Sequence, residues 1–348
     1  MAATTDNVAA ASRTPVKLLG LAAALIVYLA AIPVLLADKP YMLGVLSTAS
    51  VLSVISAGVW LTFYIGRINI GQGAFALVGG YAAALLVTEL GMSFWLALPL
   101  AGVAAAVVSM AIGAAVLRLK GVYFAMLSLS LTETARLAAQ SLSGLTGGAS
   151  GITNIPLPGA IEIFGLTLVP DFSTVNKHLA MYFLAAVLTI VCFAAMYRIV
   201  NSRIGHLFRS LQQNEELASS IGVDIARLRI IAFAISSFLG GIGGAFFVAS
   251  QQSIYPASFT FQDSIYFMLY CFLGGLSYVF GPIVGTFVLF LGFEFMQGLN
   301  QYQPLIYSLL MIGLMLWLPN GLMSLTRPFG GRPSRTNTLV GTPPAGKG

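Results

Sequence analysis

Long apolar runs, broken at intervals by short clusters of Gly, Pro and charged residues, cover most of the chain. A helix that crosses a bilayer needs about 20 predominantly apolar residues. Reading the runs and their breaks predicts spans at 18–37, 41–65, 72–90, 94–117 and 121–141, then at 179–200, 229–250, 264–281, 283–299 and 304–320. The expected fold class is therefore all-α: a polytopic transmembrane helix bundle of about ten spans occupying 18–325. The joins at Gly66–Gly73 and Gly281–Gly285 are short, which leaves room for one of these segments to be a re-entrant or broken helix.

Both ends of the chain fall outside this pattern. Arg13 and Lys17 precede the first run as they would in a secretory signal. That run is about 20 residues long against the 7–15 of a signal core, so a retained first span follows, with 1–17 as an N-terminal tail. Residues 326–348, where Gly330 to Gly348 is rich in Gly, Pro, Ser and Thr, cannot bury a core and are expected to form a disordered tail.

Composition agrees with a membrane protein: 58% of the 348 residues are apolar and 8% charged, against about 25% charged in an ordinary soluble domain. The net charge of +6 is spread over loops without an aromatic–basic patch, which argues against nucleic acid. Cytoplasmic loops collect Lys and Arg. With the N-terminus inside, Arg13, Lys17, Arg67, Arg118, Lys120, Arg198, Arg203, Arg209, Arg227, Arg229, Arg327, Arg332, Arg335 and Lys347 fall on the cytoplasmic side, and Lys39 and Lys177 outside. Both termini are then cytoplasmic.

Two loops stand out in that topology. The cytoplasmic segment 201–228, NSRIGHLFRSLQQNEELASSIGVDIARL, is a compact, helix-prone island carrying Arg203, Arg209, Glu215, Glu216, Asp224 and Arg227. Glu215 and Glu216 suit the positive N-terminal end of a short helix and Gly222 suits its left-handed stop, so the island reads as a dock for a soluble partner, with a solvated topology-setting loop as the plain alternative. The external loop 142–178 opens with Gly144, Gly147, Gly148 and Gly151, which permit tight turns and also fit a flexible connector.

The span 121–141 is the most polar, with Ser128, Ser130, Thr132, Glu133, Thr134, Arg136 and Gln140. An ionised group at the centre of a membrane helix costs on the order of 2.5–3.5 kcal/mol on insertion scales, so this helix should face protein or a wet path. Glu133 and Arg136 share a helix face. Three readings stay open for them: a structural ion pair, a part in the path or its gate, or an Arg136 that snorkels to the outer surface. The segment Gly66–Gly73, with Arg67, Asn69 and Gln72, reads first as a cytoplasmic turn and otherwise as a helix start whose N–H groups line the path. Gly240, Gly241, Gly243 and Gly244, and Gly281 with Gly285, read as packing positions.

Enzyme chemistry has no carrier in the chain. His178 and His206 fall on opposite sides of the membrane, Cys192 and Cys271 lie in apolar spans without metal-ligand spacing, and no G-x4-G-K-[ST] nucleotide loop occurs. An ion-coupled secondary carrier remains the alternative transporter class. It would be expected to show internal repeats and several intramembrane charges, of which only Glu133, Arg136 and Glu294 qualify.

Three stretches carry a family resemblance: RINIGQGAFALVGGYAAALL (67–86), LRLKGVYFAMLSLSLTETARLAAQSLSGLTGGASGI (117–152), and the island followed by AFAISSFLGGIGGAFF. With SIYPASFTFQDSIYFMLYCFLGGLSYVFGPIVGT (253–286) they resemble permease subunits of the branched-chain amino acid ABC importers, the LivM type, over roughly 40–325. The chain departs from that pattern at Ser150, where an acidic residue is common, and in the tract LSYVFGP.

The resemblance implies the ABC importer permease fold in a bacterial cytoplasmic (inner) membrane. It also implies a homologous second permease, two ATPase subunits that use ATP and Mg, and an extracytoplasmic solute-binding protein, with no cofactor bound by this chain. Under it, Arg203, Arg209, Glu215, Glu216, Ala218 and Gly222 belong to an ATPase-coupling loop. Ser128, Ser130, Thr132, Glu133 and Arg136 are candidates for the path or gate, and Gly147, Gly148 and Gly151 lie at the external mouth. Branched-chain or related amino acids are the expected cargo, with urea or short amides as the alternative.

Overall fold

The structure is a computed structural model that describes residues 28–29, 32–36, 38–119, 121–163, 166–169, 172, 176–220, 222–296 and 321–326, with isolated positions between 302 and 316. The expected first and last spans, 18–37 and 304–320, lie largely outside the described residues, as do the tails 1–17 and 327–348.

Ten helices of six residues or more make up the described bundle. They are α1 (Pro40–Tyr64), α2 (Gln72–Thr88), α3 (Phe94–Val116), α4 (Val122–Ser141), α5 (Lys177–Val200), α6 (Arg203–Gln213), α7 (Glu215–Ser220), α8 (Ile225–Gln251), α9 (Phe261–Gly274) and α10 (Gly281–Phe295). Among the described residues, four are long and apolar enough to cross a bilayer: α1, α3, α5 and α8. The expectation of about ten spans therefore holds only in its coarser form, an all-α membrane bundle.

The shortfall has two physical sources. Helix α4 is long enough to cross but too polar to read as an apolar span. Helices α2, α9 and α10, at 17, 14 and 15 residues, are short; at 1.5 Å per residue they reach about 26, 21 and 22 Å, less than a hydrocarbon core of about 30 Å. The break expected at 281–285 lies earlier. Helix α9 ends at Gly274, Gly275 takes φ +110°, and α10 starts at Gly281, whose backbone touches that of Gly274. Trp60 of α1, fully buried, closes this break by donating its indole N–H to the Leu276 carbonyl at 2.9 Å.

Helix α8 is the central strut and packs on α1, α2 and α3 together. Its glycines explain how one helix can do so. A Cβ on Gly241 would strike Ala101 and Ala105 of α3, one on Gly243 would strike Ile55 of α1, and one on Gly244 would strike the Ala76 carbonyl of α2. Gly79 of α2 lies directly on the Gly241 backbone. The packing role expected for this glycine run is what the geometry shows, since close backbone approach needs the smallest side chain on both faces.

The outer helices carry the complementary pattern. Helix α3 buries Ala97, Ala101, Ala105 and Ser109 and exposes Leu96, Leu100, Val103, Val107 and Met110, an unbroken apolar stripe three to four residues apart. Helix α5 packs on α1, with Thr189 donating to the Ser50 carbonyl at 3.1 Å, and turns Phe183, Val187 and Val191 outward. Cys192 and Cys271 are buried free thiols.

Two small antiparallel pairs qualify the all-α reading, and both involve the segment expected as a long external loop. Strand β1 (Ile152–Thr153) pairs with β4 (Ser253–Ile254) in register Ile152↔Ile254 and Thr153↔Ser253, while β2 (Ile161–Ile163) and β3 (Leu166–Val169) form a hairpin. Residues 142–155 are thereby fastened to the C-terminal end of α8.

Candidate functional site

At one end of the bundle the polar island folds into α6 and α7, and sequence chemistry accounts for both. Ser202 caps α6 by accepting from the Gly205 N–H, and the Asn214 carboxamide caps α7 by accepting from the Glu216 and Leu217 N–H groups at 3.0 and 3.1 Å. Gly222, at φ +83°, ends the turn, with its N–H on the Ser219 carbonyl and the Val223 N–H on the Ala218 carbonyl. Helix α6 is amphipathic: Gly205, Phe208 and Leu211 are buried, whereas Arg203, Ile204, His206 and Arg209 are exposed.

The expected coupling residues split by direction. Arg203, Arg209, Glu216 and Gly222 are exposed beside Leu217, which is 66% exposed, and Ala218 is buried. Glu215 instead turns inward to two arginines from different parts of the chain. Its Oε1 lies 3.2 Å from Nη2 of Arg67 and also pairs with Nη2 of Arg229 on α8. Arg67 is 3% exposed and Arg229 is 8% exposed, against 26% for the Glu215 side chain. Burial first, and then the Arg229 charge, lower the Arg67 pKa, with Glu215 opposing them.

From Arg67 the chain does not turn away from the bundle but runs into it. Asn69 and Gln72 are fully buried, which replaces the expected cytoplasmic turn with a non-helical entry leading to an α2 that begins inside the protein. The N–H groups at that entry bond to side chains rather than lining a path. Ile70 donates to Ser128 Oγ of α4 at 3.0 Å, Gly71 to Asn69 Oδ1 at 2.9 Å, and Gly73 to Ser264 Oγ of α9 at 3.0 Å. Gln72 donates to the Ser236 carbonyl at 2.8 Å, and Ser236 Oγ donates to the Gly58 carbonyl at 2.7 Å, so α1, α2 and α8 share one polar seam. A Cβ on Gly71 would strike the Ser128 carbonyl, which is why glycine stands at that contact.

The candidates on α4 fall on two faces. Ser128 and Thr132 are fully buried, Thr132 lying 3.1 Å from Ser264 Oγ. Ser130, Thr134 and Gln140 are exposed, on the same side as Tyr123 and Met126. Glu133 and Arg136 form a bidentate pair, with Arg136 Nε 3.0 Å from both carboxylate oxygens and Nη2 2.6 Å from Oε1, their side chains 40% and 27% exposed. Glu133 and Arg136 are thus paired with each other, and the pair lies on the open face of the helix. The contrast with α3 is direct: one outward face is a continuous apolar stripe, and the other mixes Met126, Leu127 and Leu137 with Ser130, Glu133, Thr134 and Gln140.

At the opposite end, Gly147, Gly148 and Gly151 take φ +73°, +60° and +64°. A Cβ on Gly151 would strike the Ile254 carbonyl, so the glycine tract is a built turn against β4 and α4. Lys177 Nζ, 2.8 Å from Gln252 Oε1, joins the start of α5 to the same place.

Arg229, Ser236 and Ser264 escaped the sequence reading. Arg229 reads there as a topology-setting charge beside a span, and only the folded chain brings Glu215 to it. Ser264 carries no sequence signal; only the folded chain places it at the start of α2.

A family model described as branched-chain amino acid transport system / permease component matches residues 41–318. The chain is 31% identical over 276 residues to the high-affinity branched-chain amino acid transport system permease protein LivM of Salmonella typhimurium, covering 76% of this chain and 65% of that protein. It is 30% identical over 320 residues to the protein of the same name from Escherichia coli, covering 86% and 75%. A probable branched-chain amino acid transport permease protein LivH of Methanocaldococcus jannaschii is 25% identical over 301 residues, covering 82% and 93%. No solved structure matches the chain.

Proposed function

Because this chain belongs to the family of branched-chain amino acid transport system permease components, we propose that it is a transmembrane subunit of an ATP-driven importer for branched-chain or related amino acids. It moves its cargo by alternating access and performs no covalent chemistry. ATP and Mg are used by two separate ATPase subunits, a homologous permease completes the transmembrane pair, and an extracytoplasmic binding protein delivers the substrate. The membrane is the bacterial inner membrane, and the end that carries α6 and α7 is cytoplasmic, in keeping with the arginines gathered there.

The observation that carries this reading is the α6–α7 pair. It is capped at both helix starts, stopped by a left-handed glycine and tied inward by Glu215, yet it presents Arg203, Ile204, Arg209, Glu216 and Leu217 to its surroundings. A loop that only set topology would need its basic residues but not a fixed helix with an exposed leucine. The pair is the ATPase-coupling element, and its exposed apolar and charged groups suit a groove on a soluble subunit.

The open face of α4 supplies the second surface. Lipid does not suit a face that carries Ser130, Glu133, Thr134, Arg136 and Gln140. This face lies against the second permease and borders the path, with Ser128 and Thr132 fixing the helix from behind. Gly147, Gly148 and Gly151 shape the external mouth where the binding protein docks.

The test is affinity purification of the tagged permease from its native membrane in mild detergent, followed by identification of the accompanying chains and an uptake assay after reconstitution. Two ATPase subunits, a second permease and ATP-dependent uptake of a branched-chain amino acid are expected. A permease recovered alone and active in liposomes under an ion gradient would instead identify a secondary carrier.

A further inference from the structure

Helix α4, which carries the polar open face, packs chiefly on α2 and α9, and the segment leading into α2 also touches it directly. The non-helical segment 65–71 supplies a short line for a force from the α6–α7 end. It begins at Arg67, held by Glu215 at the first residue of α7, and ends at Ile70 and Gly71, which clasp Ser128 of α4 through a 3.0 Å hydrogen bond and a backbone contact. We propose that Arg67 is the positioning residue that transmits movement of the α7 coupling helix to α4. This rests on the reading of α6–α7 as the ATPase-docking element.

The electrostatics favours transmission over slippage. Arg67 and Arg229 are both buried, and one carboxylate serves them both. Pulling Glu215 out of reach would leave two buried guanidiniums facing each other with no other counter-charge among the described residues, so the pair moves as one body more readily than it parts. The two arginines differ in what they are fixed to. Arg229 belongs to α8, which the Gly241, Gly243 and Gly244 contacts lock among α1, α2 and α3. Arg67 belongs to a non-helical segment whose N–H groups bond back to Phe63 and Thr62 at one end and forward to Ser128 and Asn69 at the other, so a pull on Arg67 is passed along it to α4. Its displacement reaches Ser128 within three residues, about six residues into α4 from the helix start.

The experiment uses the full transporter, reconstituted in liposomes with its binding protein, and reads substrate moved per ATP hydrolysed. Arg67→Gln is expected to lower that ratio at least about tenfold while the ATPase subunits still co-purify at the wild-type ratio, and Arg67→Lys, which keeps the charge, is expected to restore most of it. Arg229→Gln serves as a companion, expected to lower the yield of folded permease more than the ratio. A ratio unchanged in Arg67→Gln, or a transport loss matched by an equal loss of hydrolysis or of ATPase co-purification, would overturn the proposal in favour of a purely structural ion pair. Failure of the wild-type assembly to couple uptake to ATP would overturn the importer reading itself, which the wild-type measurement separates from the variant result.

Discussion

Single residues set the electrical character of the α6–α7 end. Among the described residues Glu215 is the one carboxylate paired with the buried Arg67 and Arg229, and breaking a buried pair by removing one partner typically costs about 3–5 kcal/mol. Glu215→Lys places a third cation there and is expected to lower the thermal stability of the purified permease well beyond Glu216→Lys, whose side chain is exposed, as a melting curve in detergent would show. Gly222 works through its backbone. At φ +83° with open space around it, Gly222→Ala meets no neighbour but takes a left-handed conformation that costs about 1–2 kcal/mol. That change alone should reduce substrate-stimulated ATP hydrolysis by several-fold, and Glu215→Lys with Gly222→Pro should abolish it while the protein still inserts. Unchanged stimulation in the double variant would remove α7 from the coupling role.

Elements are held by contacts that a substitution can address one at a time. Helix α2 starts inside the protein, and the N–H groups of Ile70 just before it and of Gly73 in its first turn, which have no helical partner, bond to Ser128 and Ser264. Ser264→Ala orphans the Gly73 N–H and should cost on the order of 1–3 kcal/mol, measurable by denaturant titration, with Ser130→Ala on the exposed face as a neutral control. The α2–α8 contact is steric. Gly244→Val would drive a side chain into the Ala76 carbonyl and is expected to remove most of the folded protein from the membrane, whereas Gly292→Ala, with nothing near it, should leave the yield unchanged.

For the whole molecule the two contrasting outer faces set the prediction. Val107 on α3 belongs to a uniformly apolar stripe, and Ser130 on α4 to a face that carries an ion pair. With the native thiols Cys192 and Cys271 buried, a cysteine placed at Ser130 should crosslink to the second permease through a short bifunctional reagent in the assembled transporter, and one placed at Val107 should not. The reverse pattern would move the subunit interface to α3.

Much of this protein was legible in the chain because its solvent enforces simple rules. Apolar runs of fixed length give membrane helices, and the sequence of 201–228 signals a short helix in Glu215 and Glu216 and its stop in Gly222. The four apolar spans, the short helix of the island, the packing role of the α8 glycines and the family were all readable on those grounds. The direction in which Glu215 points, the descent of Gly66–Gly73 into the bundle, the earlier break at Gly275 and the division of α4 into a buried and an open face were decided only in three dimensions. Hydropathy records whether a residue can leave water, but the partner that receives a buried guanidinium or a freed N–H comes from distant parts of the chain. Arg67 meets Glu215 and Gly73 meets Ser264 because tertiary packing must satisfy buried polar groups, a constraint with no local signature.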